Sequence, residues 1–443
     1  MSSTGQESGE NPAGKPGSLT LFQSLTYSVG TLGANLITQT IVLWAIYYYA
    51  PAEERGLFIY APIAALGFAM AFGRIIDSIA GPLVGYWSDK TKSKCGRRIP
   101  FVLFGSLPLV LFFVALWYPP VAQKSMINVL YFALILGAFF FFYTIVIAPY
   151  LSLLPEITES KDERINLVTY RAYFLVLGLF MAFLGSGILI QEFGFKIMGI
   201  IMGITALISF YISIAFIKET PHSKAKEIDL SFTQCLIYSF KNKPFLYYLC
   251  CIGFFWLGFN IALVSIPYMV VVIMKSTEEW VGYSSGILLL VSVLFFPLVN
   301  FLARKYGKKI VFLGAMFLLS IILPLVLLIG KIPLSTPFYQ GLLYAAIIGI
   351  PVAGLLLLPY AILADIIDYD GKRTGLRREA MYMGVQGLIT KGATAFASVI
   401  ATQILSKFGN TFDKPFGIYL CGPVAALLTL IGFIIFLHYP FRE

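Results

Sequence analysis

The chain has 443 residues, of which 58% are hydrophobic and 12% charged, with a formal net charge of +10 and a mean hydropathy of +0.84. A soluble domain carries about 25% charged residues, and so apolar a surface would aggregate in water, which excludes a soluble globular protein and leaves lipid as the fitting solvent. The cysteines Cys95, Cys235, Cys250, Cys251 and Cys421 show neither metal-ligand spacing nor a secreted disulfide pattern, so they read as small apolar filler.

Residues 1–20 are rich in Ser, Gly, Pro and Glu and lack a basic-then-apolar leader, so they read as a disordered cytoplasmic tail. Apolar runs follow at 24–49, 58–86, 100–118, 126–152, 168–190, 195–217, 245–274, 281–303, 309–330, 336–363, 380–405 and 415–438. Each is long enough to cross a bilayer as a helix. The runs are continuous, whereas barrel strands would alternate over about ten residues. An all-α membrane protein of twelve transmembrane helices is therefore expected.

The loops set the orientation. Those after spans 2, 4, 6, 8 and 10 carry Lys90 to Arg98, Lys161 and Arg164, Lys218 to Lys243, Arg304 to Lys309, and Lys372 to Arg378. The opposite loops hold few cations. The positive-inside rule places the rich side and both termini in the cytoplasm, as in a multi-pass protein of the plasma (inner) membrane. The charge thus marks topology, and no nucleic-acid partner is expected. The longest inner loop, 218–244, separates a six-span half at 21–217 from another at 245–443. Its Ile228, Leu230, Phe232, Leu236 and Phe240 suit either a helix lying on the membrane or a plain linker.

The halves echo one another. Pro149-Tyr150, an apolar stretch and Glu156 end span 4; Pro359-Tyr360, an apolar stretch and Asp365 end span 10, with the prolines 210 residues apart. Gly96-Arg97-Arg98 and Gly307-Lys308-Lys309 stand 211 residues apart. Gly33-Ala34-Asn35 has a looser echo in Gly258-Phe259-Asn260. Two six-helix bundles related by a pseudo-twofold axis resemble the plan of the major facilitator superfamily, whose halves rock about a central site. Gly85 permits close helix contact. With Asp89, Gly96, Arg97, Arg98, Glu156 and Asp365 it forms a candidate gating network that latches the inner side.

The run Asp77-Ser78-Ile79-Ala80-Gly81-Pro82-Leu83-Val84-Gly85-Tyr86-Trp87-Ser88-Asp89, continuing to Gly96-Arg97-Arg98-Ile99-Pro100-Phe101, resembles the helix 2–3 signature of the glycoside–pentoside–hexuronide cation symporters, the melibiose permease family. Pro149 to Arg164 resembles the family's helix 4–5 segment, and Gly387 to Phe396, with Lys391, its helix 11. The resemblance implies cation-coupled sugar symport. It assigns Asp77 and the hydroxyl of Thr144 to cation coupling and matches Lys391 to the family's helix-11 lysine. Ala80 and Gly81 stand where the family has an Asn and a second Asp. Asn35, Ile147 and Leu151 replace its sugar-anchoring acids and an aromatic. These departures weaken a Na⁺ site, since Na⁺ needs several oxygen ligands, and leave H⁺ coupling or no coupling open.

Arg74 and Asp77 lie deep in span 2, three residues apart on one face, where charges are costly and must face a cavity or a partner. Lys391 stands alone in span 11, suited to a long-range pair with Asp77. Arg171 suits either the cavity or the inner interface. Tyr27, Asn35, Gln39, Asn260 and Gln386, with Arg74, Arg171 and Lys391, are the candidate substrate contacts. No nucleophile–base constellation, phosphate loop or metal cluster is present, so no enzyme activity and no cofactor is expected beyond an H⁺ or Na⁺ coupling ion. The expected function is secondary transport of a sugar or related small solute. A carrier of an amphipathic solute such as a lysolipid, or a non-transporting sensor with a transporter fold, are the alternatives. The chain is expected to act as a monomer among membrane lipids.

Overall fold

Thr20 begins the helical structure: its hydroxyl accepts from the Gln23 amide, and the Gln23 side chain accepts from the Thr20 amide. Such a reciprocal box satisfies two of the free amides at a helix start. The computed structural model describes residues 19–52, 56–91, 93, 96–158, 161–217, 219, 241–333, 335–374 and 379–440.

The first half comprises α1 (Leu21–Tyr49), α2 (Ile63–Lys90), α3 (Ile99–Ala115), α4 (Met126–Ile157), α5 (Lys161–Phe180) and α6 (Ser186–Ala215). A π turn, Met181–Gly185, joins the last two, and the chain reverses at Gly194, whose φ of +79° suits glycine. The second half comprises α7 (Lys243–Tyr268), α8 (Glu278–Tyr306), α9 (Lys308–Ile322), α10 (Pro337–Thr374), α11 (Glu379–Phe408) and α12 (Phe416–Leu437). Among the described residues, ten helical stretches are long and apolar enough to span a membrane, and one, Glu163–Ala215, is two crossings bent at Gly194. The shorter apolar helix Ile99–Ala115 supplies the twelfth crossing. The expected spans therefore stand, with longer ends. α5 starts at Lys161 rather than 168, and α10 runs on to Thr374 rather than 363, because helical hydrogen bonding continues through charged turns where lipid stops. The loop segment that suits either a surface helix or a plain linker, at 228–240, and residues 1–18 lie outside the described residues.

The two halves are built alike. In the first, α1 packs on α5 and α6, α2 and α3 pack on α4, and α3 packs on α6. In the second, α7 packs on α11 and α12, α8 and α9 pack on α10, and α9 packs on α12. Adding six to each label converts one set into the other, as a pseudo-twofold axis requires. The halves meet along α2–α11, along α8 with the α5–α6 junction, and along α1–α7.

Because the helices alternate in direction, the basic loops share one end of the bundle, the basic end. At the opposite, far end the halves are sewn together. Tyr268 donates to the Ala50 carbonyl at 2.7 Å, Tyr47 to Glu278 at 3.1 Å, and Gln403 to the Ala64 carbonyl at 3.1 Å. A Cβ placed on Gly187 would meet Gly282 at 2.8 Å, so the two backbones touch. Toward the basic end the α2–α11 seam opens. Cβ atoms placed on Gly81, Gly85, Gly384, Gly387 or Gly392 would meet nothing within 4 Å.

Candidate functional site

Between Thr26 and Ala50, every residue of α1 is buried except Val29, Asn35 and Gln39. Helices α5, α6 and α7 surround α1, so a polar opening on it faces an internal chamber rather than lipid. Asn35 and Gln39 are four residues apart and share a helical face. The Asn35 amide donates back to the Thr31 carbonyl at 2.8 Å, which leaves its oxygen for the chamber.

The polar centre of the protein lies where α2, α4 and α11 meet. Asp77 is 1% exposed. Its Oδ1 accepts from Thr144 Oγ1 at 2.7 Å and from Lys391 Nζ at 2.8 Å. The lysine thus reaches across from the second half and grips a carboxylate of the first. Asp77 Oδ2 lies 3.9 Å from an Arg74 terminal nitrogen. Among the described residues, Oδ2 accepts no hydrogen bond and Arg74 Nε donates none. Phe140 supports the guanidinium, whose carbon lies 4.3 Å from the ring centroid. Asp77 stands thirteen residues before the end of α2, about 20 Å along its axis. At 1% exposure the carboxylate itself is out of reach of solvent, so its stability depends on these partners.

Lys391 keeps a third of its side chain exposed, so the pair borders the chamber. Closer to the basic end, Arg171 of α5 is half-buried. It donates to Thr31 Oγ1 at 3.2 Å and lies over the Tyr150 ring at 5.7 Å. Thr31, Asn35 and Gln39 form one stripe on α1, so Arg171 stands at its basic end. Arg171 therefore lies against α1 and α4 of its own half.

Several expected contacts sit elsewhere. Tyr27 is fully buried; its hydroxyl donates to the Tyr150 carbonyl at 2.6 Å, while the Tyr150 hydroxyl donates to the Tyr27 carbonyl at 2.7 Å. This reciprocal clamp ties α1 to α4 and leaves no group for a solute. Asn260 is 4% exposed and its amide donates back to the Trp256 carbonyl, which repeats the Asn35 bond in the second half without its opening. Gln386 is buried five residues before Lys391 on α11, with its oxygen unpaired among the described residues. Sequence reading missed Tyr143, which packs beside Thr38 and within electrostatic reach of Asp77 and Arg74. It also missed Phe140. Aromatic residues crowd span 4, so no local signal distinguishes these two.

The basic end carries two ionic braces at matching places. Arg97 and Arg98 both pair with Glu156, the latter at 3.1 Å. Arg98 also donates to the Ser152 carbonyl, and its amide donates to Glu219 at 3.0 Å. In the second half Lys308 pairs with Asp365. Each brace ties the turn after the second helix of its half to the basic-end part of the fourth. Burial resists ionisation of Glu156, but the bond from Arg97 and the charge of Arg98 outweigh it and hold the carboxyl below its usual range. Gly96 has a φ of +100° and abuts Glu219, so a side chain there would break the turn that aims the arginines. Gly85 makes no close helix contact, contrary to expectation, because α2 and α11 have already diverged at that depth. The Asp89 side chain lies outside the described residues.

Comparison with known proteins places this architecture. A family model described as MFS/sugar transport protein matches residues 26–438. The isoprimeverose transporter of Lactiplantibacillus pentosus is 24% identical over 87% of this chain and 80% of its own length. The uncharacterized symporter YnaJ of Bacillus subtilis is 27% identical over 89% of this chain and 85% of its own. The crystal structure of a D-xylose-proton symporter shares the fold with a TM-score of 0.67 at 15% identity, covering 93% of this chain and 97% of the other. This chain therefore belongs to the MFS/sugar transport protein family, and it is an integral membrane secondary transporter for a small molecule rather than an enzyme.

Proposed function

We propose that the chain is a proton-coupled symporter that carries a sugar-like solute bearing an anionic group into the cytoplasm by alternating access. The observation that carries this reading is the ion pair between Asp77 and Lys391, made across the two halves at mid-depth. Proton arrival on Asp77 neutralises the carboxylate and frees the lysine. The released ammonium then turns to a solute in the chamber.

The charge balance supports an anionic solute. Among the described residues, the middle of the bundle holds Arg74, Arg171 and Lys391 against Asp77 alone. Uncompensated charge in a low-dielectric site is costly, and a carboxylate or similar group on the solute offsets it. Such a group also offers Arg74 the bidentate geometry that guanidinium suits. Asn35 and Gln39 supply neutral hydrogen bonds for hydroxyls. Sodium fits less well. An ammonium already occupies Asp77 Oδ1, and Ala80 and Gly81 offer no side-chain oxygen on the next turn. The sugar-like class rests on the family and on relatives such as the isoprimeverose transporter. By the positive-inside rule the basic end faces the cytoplasm, so the opened α2–α11 seam corresponds to an inward-facing state.

The test is uptake into proteoliposomes of a neutral pentose, a hexuronate and a lysolipid, each with imposed H⁺ and Na⁺ gradients. Hexuronate accumulation driven by H⁺ is expected. Acceleration by Na⁺ alone would overturn the coupling, preference for the neutral sugar would overturn the anion, and lysolipid movement alone would overturn the substrate class.

A further inference from the structure

We infer that the interior of the second half binds a small cluster of waters at the bend of α7, held by the Ser284 hydroxyl and the Leu263 carbonyl. This inference is independent of the transported solute and of the coupling ion, because the cluster lies among helices of one half.

Two polar groups meet here without their usual partners. Pro267 lies inside α7 and has no amide hydrogen, so the Leu263 carbonyl one turn earlier loses its ordinary helical donor. The helix then continues as a π turn, Met269–Ile273. Ser284 of α8 is 1% exposed, and its hydroxyl makes no hydrogen bond among the described residues. Leu263 and Ser284 line one internal cavity, together with Ser265, Met269 and Tyr344. The Ser265 hydroxyl donates to the Ala262 carbonyl at 2.8 Å, and the Tyr344 hydroxyl to the Leu323 carbonyl at 2.9 Å, so each oxygen is left able to accept. Waters there donate to Leu263, Ser265 and Tyr344 and accept from Ser284. A wholly apolar cavity would stay dry, whereas this one offers the polar partners that a buried water requires. It measures about 40 Å³, and one water takes roughly 10–15 Å³ of such space, so about three fit. Ordered water is one means by which a membrane helix satisfies a backbone group that proline frees.

The first half fills the matching place with aromatic rings. Met269 stands 225 residues after Trp44, the offset that relates Asn35 to Asn260. Trp44 packs on Phe195 with ring centroids 5.6 Å apart. A Cβ on Gly199 of α6 would meet the Trp117 indole at 2.2 Å, whereas one on Gly422 of α12 would meet the smaller Val326 at 2.5 Å. Indoles close the space in one half, and a thioether and an isopropyl group leave it in the other. The site bears on the far seam as well. Tyr268, the neighbour of Pro267, donates to the Ala50 carbonyl, so the waters support the segment that carries this contact between the halves.

The experiment is radiolytic hydroxyl labelling of the full chain in detergent, read by mass spectrometry, which marks side chains beside bound water. Met269 lines the cavity and is 5% exposed. Met202 and Met274, at 2% and 3% exposed, do not line it. Met269 is expected to be oxidised several-fold faster than both in the same sample. Ser284→Val removes the hydroxyl and part of the space, and Pro267→Ala returns an amide to the Leu263 carbonyl. Each is expected to bring Met269 down toward the other two methionines. If neither variant folds, the comparison of the three methionines in the unmodified protein decides alone. Met269 as protected as Met202 and Met274 means a dry cavity and overturns the inference. Unchanged oxidation of Met269 in Ser284→Val also overturns it, because the oxidant then arrives from bulk solvent.

Discussion

The α2–α11 seam and the seam of α8 with the α5–α6 junction occupy equivalent places under the pseudo-twofold axis, yet they are made of different chemistry. At the first, Asp77 and Lys391 form a buried ion pair between the halves. At the second, Gly187 and Gly282 bring two backbones into contact, and Gly286 faces Leu184. Duplication supplies two matched surfaces on which the halves can rock. On the proposed function, the Asp77–Lys391 pair at the first seam is the trigger and the glycine contact at the second is the pivot. Four changes would break or sharpen that contrast.

The largest effect is expected from Lys391→Met. Removing one partner of a buried pair strands the other charge at a cost of about 3–5 kcal/mol, so coupled uptake should fall to background and the melting temperature should drop. Combining it with Asp77→Asn should restore melting without restoring accumulation. If accumulation survives in Lys391→Met, the charged seam is not the trigger.

Next is Thr144→Val, which removes a 2.7 Å hydrogen bond to Asp77 Oδ1. Hydrogen bonds to charged groups contribute about 1.5–3 kcal/mol, so initial rates of coupled uptake should fall roughly tenfold or more. Thr144→Ser should recover most of the rate. A valine variant as active as the threonine would remove Thr144 from the trigger.

Gly282→Leu tests the pivot. A Cβ there would lie 2.9 Å from the Leu184 carbonyl oxygen, and overpacking costs about 1–3 kcal/mol. The expected result is a far end wedged ajar. In a cysteine-free background, Gln39→Cys should then label more readily from the far side. Lost uptake with unchanged labelling would sink the pivot assignment.

The smallest effect concerns the braces outside the seams. The Glu156 carboxyl is held below its usual range in the folded protein, so it binds protons more weakly than in the unfolded chain. Its contribution is present above the unfolded value of about 4.3 and is lost as pH falls through the folded value. The melting difference between the unmodified protein and Glu156→Gln should be constant near neutrality and shrink below about pH 4. A difference that persists at about pH 2 would place the effect in packing rather than charge.

Sequence and structure divide this protein unevenly. Span length and hydropathy made the twelve crossings legible, because a lipid-facing helix must satisfy its own backbone and show apolar side chains. Loop lysines and arginines, with the recurring Gly-Arg-Arg and Gly-Lys-Lys turns, made the two halves legible. Asp77, Arg74 and Lys391 stood out because ionised groups at mid-membrane are rare. Tyr27 and Asn260 did not separate from Asn35 and Gln39. A polar side chain on an apolar helix looks the same in sequence whether it faces a solute or a neighbouring helix. Only packing distinguishes Tyr27, locked to Tyr150, from Asn35, open on one side of an otherwise buried α1.

The sequence by itself determined what each segment must be, since solvation by lipid acts on every helix separately. The tertiary structure decided which charges meet. Lys391 and Asp77 are 314 residues apart in the chain and 2.8 Å apart in the fold, and no local preference encodes that distance. It arises from how two bundles pack, which depends on side-chain volumes and close glycine contacts summed over the whole seam.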